Sequence, residues 1–326
     1  MRTSCFVSIA AAAGILAASG VSAAERDLKT AFFIPTSKSL FRQAFDDFVA
    51  KLNDVGSGQI KVSKVVSREA VPAGQMPTAL KSGVLELLGA PPGYFERLVP
   101  GSSGLSAPRA SLAEQKKNGA WALMQKEFAQ KANARLLAQY GFGVRFHLFT
   151  SVPIRSLSEF KGVKFRTSPT TRAFVEALGG QPIVMGRGEI FTAMERGVVQ
   201  GFSNLNSEIK ALGWGDVVKY RIDPSFYDTM VFAAINLDVW KSLNATQKAK
   251  LEEAANHLET TLNDRIAARD VESGKSQIKA GVFQAIALPP QDAKRYVDLA
   301  YKGMWDTVVK RSPEFGARVR KLLGAE

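Results

Sequence analysis

Two segments that lie far apart in the chain share one pattern. Residues 78–86 read Thr-Ala-Leu-Lys-Ser-Gly-Val-Leu-Glu, and residues 192–200 read Thr-Ala-Met-Glu-Arg-Gly-Val-Val-Gln. Each pattern predicts a short helix that ends at a glycine, Gly83 or Gly197, and passes directly into a buried strand. The repetition favours two α/β lobes of similar construction that face each other across a cleft. The alternative is a chance similarity of one short window.

The elements around these segments support a parallel α/β arrangement. Residues 28–34 read as a strand, and apolar residues recur at helical spacing from Leu40 to Leu52 before a second strand begins near Ile60. In the other half, residues 163–166 alternate as a strand. The helix that follows is expected to be capped by Ser168, to begin at Pro169 and to place three residues on its inner side, which are Phe174, Ala177 and Leu178.

A long helix is predicted to brace both lobes. Residues 230–236 are strand-like and are expected to cross back to the first lobe. Asn244 then caps a helix with Gln247 at the capping-box position, and its apolar stripe runs from Leu251 to Ile266, at least about four turns. One more strand at 285–288 precedes terminal helices. The expected division is a first lobe over 25–147 with a return segment at about 230–270, and a second lobe over 148–229 with the C-terminal part at about 271–326.

The amino terminus predicts secretion. Arg2 is followed by an uncharged stretch from Cys5 to Ala24 that ends in small residues, which is typical of a signal peptide over residues 1–24. The alternative, a membrane anchor, is disfavoured because the stretch is mostly Ala, Gly and Ser. Cleavage would remove Cys5, the only cysteine, so the mature protein is expected in the periplasm without disulfides or thiolate sites.

The charge balance favours an anionic partner. The chain has 43 Lys and Arg against 30 Asp and Glu, a formal net charge of +13. Small acids, nucleic acid and membrane surfaces all fit such a balance. Export and the lack of a basic block with interleaved aromatic residues disfavour nucleic acid. We expect a monomer that binds a small molecule.

Candidate catalytic residues are few. The only histidines are His147 and His257, and they are too far apart in the sequence to suggest a metal cluster. The carboxylate pairs Asp46-Asp47 and Glu252-Glu253 are neighbours on predicted helices, where adjacent side chains point apart. No Gly-x-Ser-x-Gly, P-loop or Gly-x-Gly-x-x-Gly motif occurs. The sequence therefore predicts a protein that is not an enzyme and uses no metal or cofactor.

Two polar residues are better candidates for binding. Arg166 ends a predicted strand just before a helix start, where ligands lie in open α/β sheets. Its guanidinium is a planar fork that matches a carboxylate, and the helix amino terminus adds oriented N–H groups. Asn204 ends another buried strand, so its amide is expected at the same edge. The alternatives are a weak surface ion pair for Arg166 and turn chemistry for Asn204.

An ordered series of motifs resembles the extracytoplasmic solute-binding proteins of TRAP transporters, the DctP type. The resemblance covers nearly the whole mature chain. The motifs are Phe-Lys-Gly-Val-Lys-Phe-Arg at 160–166, Glu-Ala-Leu-Gly-Gly-Gln-Pro at 176–182, Glu-Ile-Phe-Thr-Ala-Met at 189–194, Gly-Val-Val-Gln-Gly-Phe-Ser-Asn at 197–204, Gly-Asp-Val-Val-Lys-Tyr at 215–220 and Asn-Leu-Asp-Val-Trp at 236–240.

The resemblance implies an α/β clamshell like that of periplasmic binding proteins, with each lobe a β-sheet flanked by helices. It further implies that the clamshell closes on an organic acid and delivers it to the integral membrane subunits of an ion-gradient-driven transporter. In such proteins an Arg corresponding to Arg166 pairs with the substrate carboxylate, and an Asn corresponding to Asn204 lines the pocket. Arg145 is the best match for a second basic residue. Further candidate contacts are Thr36, Gln75, Pro91 and Tyr227, and an aromatic acid is expected to meet Tyr94, Tyr227 or Phe202.

Two positions depart from the family pattern. Arg187 stands where an apolar or aromatic residue is usual, and Ser203 replaces a common Glu. An added cation and a lost carboxylate would suit a ligand with more negative charge, or one without an amine. The alternative is that Arg187 faces solvent.

The candidate ligands are a C4-dicarboxylate, a 2-oxo or 2-hydroxy acid, or an aromatic acid. Two other functions remain open at this point. The chain could bind a sugar or amino acid for an ATP-driven importer, or it could be an exported enzyme acting on an acidic substrate.

Overall fold

Two main β-sheets organise the chain, which a computed structural model describes over residues 25–66, 70–168 and 171–324. The predicted signal peptide and Pro169 lie outside these residues. Among them, no helix is both long and apolar enough to cross a membrane. The strands are β1 (Arg26–Asp27), β2 (Thr30–Phe32), β3 (Ile60–Lys61), β4 (Val65–Val66), β5 (Leu87–Ala90), β6 (Ala134–Tyr140), β7 (His147–Thr150), β8 (Lys164–Thr167), β9 (Gln181–Val184), β10 (Gly201–Asn204), β11 (Tyr220–Asp223), β12 (Val231–Asn236) and β13 (Gln284–Ala287).

Helices connect and cover the strands. The α-helices are α1 (Leu40–Val55), α2 (Met76–Lys81), α3 (Leu112–Asn118), α4 (Ala120–Ala132), α5 (Arg172–Ala177), α6 (Ile190–Glu195), α7 (Asn206–Ala211), α8 (Leu237–Ser242), α9 (Ala245–His257), α10 (Asn263–Lys279), α11 (Pro290–Arg311) and α12 (Pro313–Leu322).

The strand orders define two lobes. The first sheet runs β4-β2-β5-β12-β6, and the second runs β13-β11-β7-β10-β8-β9. Parallel pairs join β2 to β5 and β8 to β10, and antiparallel strands β12 and β7 pair beside them. Strand β12 pairs with β5 and β6, so the chain crosses back into the first sheet as predicted. All six residues of β12 are buried, as expected for a central strand with an apolar sequence. The predicted fold class, two α/β lobes, is confirmed.

The two repeated segments form equivalent units. Helix α2 is followed by Gly83 at φ +79° and then by β5, while α6 is followed by Gly197 at φ +68° and then by β10. A left-handed backbone at these two positions suits glycine, which has no Cβ to clash. The repeated sequence pattern therefore corresponds to a repeated structure.

A continuous helical segment contacts both lobes. It comprises α9, a π-helical turn and α10. Asn244 and Gln247 form the predicted capping box, with hydrogen bonds of 2.9 and 3.1 Å. Leu251 is buried among residues of the first lobe, and Asp270 accepts hydrogen bonds from the second-lobe residues 206 and 207. The segment spans the two lobes as a brace.

Two details of the predicted organisation are wrong. Helix α5 begins at Arg172, and its cap residue is Thr171, because Ser168 accepts the first turn's hydrogen bonds only through its backbone carbonyl. Val175 packs inward where Ala177 was expected, since Ala177 lies on the exposed side.

The C-terminal helix α12 packs against α4 and α11, although the sequence analysis grouped the C-terminal part with the second lobe. Phe315 and Val319 are buried in an apolar cluster with Phe128 of α4. The carbonyl of Leu323 accepts hydrogen bonds from the backbone N–H groups of residues 109 and 110. The reason is the length of α11, which carries the chain from the second lobe back to the first.

Candidate ligand-binding site

A cleft between the lobes collects charged, polar and apolar side chains. It lies where β8 and β10 of the second sheet end, facing the loop after β5 of the first sheet. Its polar and charged lining residues are Ser106, Arg166, Ser168, Arg187, Ser203, Asn204, Glu208 and Thr229. Its apolar and aromatic lining residues are Phe33, Ile34, Phe41, Pro91, Tyr94, Phe146, Leu205 and Met230.

Arg166 projects into this cleft from β8. Its Nε donates a hydrogen bond to the carbonyl of Met185 over 3.2 Å. Within the described part of the chain, no Asp or Glu oxygen lies within 4.0 Å of it, and its terminal nitrogens make no hydrogen bond there. Burial and the nearby Arg187 lower the pKa of Arg166 to about 10, so its guanidinium remains charged at neutral pH. The cleft thus contains a cation that lacks a protein counter-ion among these residues.

Asn204 occupies the end of β10 beside that cation. Its Oδ1 accepts a hydrogen bond from the backbone N–H of Leu205 over 2.9 Å and a longer one from Arg187 over 3.5 Å. The amide nitrogen has no partner among the residues described, which leaves a donor at the cleft. The neighbouring Ser203 is committed elsewhere, since its hydroxyl donates to Thr171 over 3.0 Å.

Arg187 turns into the cleft, which answers the question that the sequence left open. Its Nη2 donates to Glu208 Oε2 over 2.5 Å, and its guanidinium lies over the ring of Trp214 at 5.6 Å. These contacts fix the orientation of the side chain. Arg187 therefore differs from Arg166, because its charge already has a protein partner.

Glu208 is the site residue that the sequence analysis missed. It lies in the first turn of α7, directly after β10, and its side chain is 1% exposed. One carboxylate oxygen accepts from Arg187, and the other accepts from the hydroxyl of Ser39 over 2.6 Å. A carboxylate at the start of the helix after Asn204 was a visible signal, but its two partners are distant in sequence. Glu208 therefore supplies the cleft with a negative charge, which Ser203 lacks.

Four of the predicted contact residues, Arg145, Tyr227, Gln75 and Thr36, do not line this cleft. Arg145 lies just before β7, where it forms an isolated bridge with Asp228 and bonds to its carboxylate over 3.1 Å in a separate depression, while the next residue, Phe146, lines the cleft. Tyr227 is fully buried in the core, where its hydroxyl donates to the carbonyl of Ala300.

The other two candidates that do not line the cleft lie near the surface. Gln75 is exposed at the end of a short 3₁₀ turn. Thr36 accepts a hydrogen bond from the backbone of Lys38 in the turn before α1. Of the other aromatic candidates, Phe202 is a core residue packed on Trp214, whereas Pro91 and Tyr94 line the cleft as expected.

The chemistry of the cleft is that of binding. A charged fork and an amide donor stand at one end, and aromatic and aliphatic side chains form the opposite wall. Neither His147 nor His257 lines it, and His147 instead lies 3.0 Å from Asp223. Within the described residues, no three His, Cys, Asp or Glu side chains are grouped to hold a metal. The arrangement suits an anionic small molecule with an apolar part.

Two α/β lobes with a charged cleft between them define a solute-binding protein. The chain belongs to the DctP family, because the model for "Bacterial extracellular solute-binding protein, family 7" matches residues 33–310. This membership confirms the resemblance drawn from the sequence motifs.

Similar proteins agree with this membership. A solute-binding protein of Roseobacter denitrificans is 27% identical over 40% of this chain and 41% of its own length. One from Chromohalobacter salexigens is 20% identical over 87% of this chain and 85% of its own. This chain thus matches less than half the length of the first relative and most of the second.

Solved TRAP periplasmic solute-binding proteins share the fold. One from Desulfovibrio desulfuricans, with bound sn-glycerol-3-phosphate, has a TM-score of 0.80 at 18% identity and covers 92% of this chain and 97% of that one. A Bordetella pertussis receptor that binds pyroglutamic acid has a TM-score of 0.79 at 17% identity, covering 93% and 100%. The Roseobacter denitrificans protein with bound L-galactonate has a TM-score of 0.76 at 17% identity, covering 92% and 99%.

Proposed function

We propose that the protein is a periplasmic solute-binding protein that captures a small organic acid in its interlobe cleft. The observation that carries this proposal is Arg166, a partly buried guanidinium with no carboxylate partner within the described residues. A buried cation is costly unless an anion compensates it, so the cleft is arranged to receive one. The donor at Asn204 and the apolar wall would hold the rest of the ligand.

The ligands of proteins with this fold support the assignment. L-galactonate, pyroglutamic acid and orotic acid are carboxylic acids, and sn-glycerol-3-phosphate is an anion of another kind. An anionic group is common to all four. The sequence identities are below 20%, so the ligand of this chain has to be found by experiment.

The place of action and the partner are part of the same proposal. The expected signal peptide and the extracellular character of the family support a periplasmic location. The integral membrane subunits of a TRAP-type secondary transporter are the proposed recipients of the ligand. Membrane vesicles that contain those subunits should take up the ligand only when this protein is added outside, and uptake without it would argue against delivery.

A thermal-shift screen tests the ligand class. Organic acids, neutral sugars and amino acids are compared at equal concentration, since a ligand at 100 times its Kd adds about 2.7 kcal/mol to the free energy of unfolding. The proposal expects the largest rise in melting temperature from an acid. Stabilisation by neutral sugars or amino acids alone would support an importer of the other type. Turnover of a ligand, followed by NMR, would support an enzyme.

A further inference from the structure

The balance of charge in the cleft is the starting observation. Three charged side chains line it, namely Arg166, Arg187 and Glu208. Two cations and one anion leave a single positive charge. A fourth nearby group, Glu189, is exposed at the rim, where its carboxylate accepts the backbone N–H of Gly186 over 2.6 Å. Its charge still acts on Arg166, raising the pKa of that guanidinium, but solvent partly screens it because the group is exposed.

Glu208 binds Arg187 so firmly that a ligand could take Arg187 only at a cost in free energy. Its side chain is 1% exposed, and both oxygens are engaged, one by Arg187 and one by Ser39. A ligand carboxylate that took Arg187 would leave the buried Glu208 carboxylate without its cation, and breaking such a pair is strongly unfavourable. Among the described residues that line the cleft, Arg166 is thus the only cation available to a negatively charged group of a ligand.

Among the described residues, the rest of the cleft contains no further cation for a second negative charge, and its remaining polar groups are the neutral side chains of Ser106, Ser168, Ser203, Asn204 and Thr229. Phe33, Phe41, Phe146 and Met230 line the wall contributed by the first lobe and the crossover segments, and the rings of Phe33 and Tyr94 lie 5.6 Å apart. A carboxylate placed against these groups would lose its water without gaining a cation. A methyl group or an aromatic ring would gain by the same contact.

We infer that the site selects monocarboxylates with an apolar body, and that Glu208 is the residue that excludes dicarboxylates. The inference rests on the proposed function and narrows it to one class of acid. It reverses the expectation of a ligand with more negative charge, which was based on Arg187 and Ser203. The added cation, Arg187, is neutralised by the carboxylate of Glu208 from the next helix.

Two matched pairs of ligands test the inference by isothermal titration calorimetry. They are 2-oxopentanoate with 2-oxoglutarate, and phenylacetate with 4-carboxyphenylacetate. In the second acid of each pair a carboxylate replaces an apolar group of the first, namely the terminal methyl group in the first pair and a ring hydrogen in the second. The wild-type protein should bind a monocarboxylate at least about tenfold more tightly than its dicarboxylate partner.

Two variants separate the role of Glu208 from a general effect of charge. Glu208→Gln keeps the shape and frees the charge of Arg187, so the preference for the monocarboxylate should fall by about tenfold or reverse. Glu189→Gln removes an equal charge from the exposed rim and should change the preference much less than Glu208→Gln does. The melting temperature of each variant is measured first to establish folding.

The outcomes separate this inference from the proposed function. If the tightest acid in the thermal-shift screen is a dicarboxylate, a phosphate or a polar sugar acid, the inference is wrong and acid capture stands. If wild type prefers the monocarboxylate but Glu208→Gln and Glu189→Gln behave alike, Glu208 is not the selective residue. If no acid binds at all, both the inference and the proposed function are wrong.

Discussion

Ser39 of the first lobe donates a hydrogen bond to Glu208 of the second lobe over 2.6 Å. The same carboxylate holds Arg187, whose Nη2 lies 2.5 Å away at the wall of the cleft. The bond between the lobes therefore also sets the position of a cationic side chain that lines the ligand cleft. One carboxylate, that of Glu208, therefore takes part both in the contact between the lobes and in the arrangement of the cleft.

Ser39→Ala should weaken ligand binding because it removes this bond between the lobes, which we expect to stabilise the ligand-bound arrangement. A hydrogen bond to a charged group contributes about 1.5–3 kcal/mol, and 1.4 kcal/mol corresponds to about tenfold in affinity. We therefore expect a Kd increased by about tenfold or more, measured by titration calorimetry. Small-angle scattering should also show less compaction on ligand addition.

Ser37→Ala is the matched control for this variant. Ser37 is exposed in the same turn, and within the described residues its side chain makes no hydrogen bond, since Gln43 bonds to its backbone carbonyl. The control should bind like wild type. Equal affinities for the two variants would show that the interlobe hydrogen bond does not contribute to closure.

Gly141→Ala should destabilise the protein and disturb the cleft. Gly141 has φ +112°, and a Cβ there would lie 1.8 Å from the carbonyl oxygen of Thr229, a residue that lines the cleft. Backbone strain and the clash together should lower the free energy of unfolding by more than about 2 kcal/mol, measured by urea denaturation.

Gly119→Ala separates strain from the clash. Gly119 has φ +88°, but nothing lies within 4 Å of the position that a Cβ would take. This variant should lose only about 1 kcal/mol, the cost of a left-handed backbone at a residue other than glycine. If both variants lost the same free energy, the close approach to Thr229 would have no energetic consequence.

Asp223→Asn should make stability less dependent on acid pH. Burial acts to raise the pKa of Asp223, but hydrogen bonds with His147 and Arg221 outweigh it and hold that pKa below its usual value. An aspartate with a lowered pKa in the folded state stabilises the protein above about pH 3.9, and this contribution is lost as the pH falls through the folded-state pKa.

The measurement is urea unfolding of both proteins between about pH 7 and pH 2. At neutral pH the variant should be less stable by about 1.5–3 kcal/mol, since it loses charge-assisted bonds from Arg221 at 2.7 and 3.0 Å. The difference should shrink towards pH 2. Asp216→Asn, at an exposed position, should change stability little at any pH. A difference that stayed constant with pH would contradict the account.

Local patterns allowed much of the fold to be predicted from the sequence. The capping box at Asn244 and the glycine turns after α2 and α6 depend on residues close in the chain, and all of them occur in the structure. Arg166 and Asn204 were placed at the cleft because the ends of buried strands in one sheet meet at one edge.

The features that could not be predicted from the sequence are the directions of individual side chains and their contacts with residues distant in the chain. Arg145 lies away from the cleft because its isolated bridge and ion pair with Asp228, a residue distant in the sequence, hold it in a separate depression, while Phe146 lines the cleft. Tyr227 packs in the core against Phe174 of α5 and Tyr301 of α11, which are distant from it in the sequence. Glu208 gained its role only when folding brought Ser39 and Arg187 to it.

The central claim is that Arg166 supplies the charge that captures an acid. Titration calorimetry of the best acid from the screen, with wild type, Arg166→Ala and Arg145→Ala, tests it most directly. Loss of the buried charge pair should cost about 2–5 kcal/mol of binding free energy in Arg166→Ala. Arg145→Ala should retain wild-type affinity, since that arginine lies in a separate depression. Unchanged affinity in Arg166→Ala would contradict the assignment of the cleft as a carboxylate site.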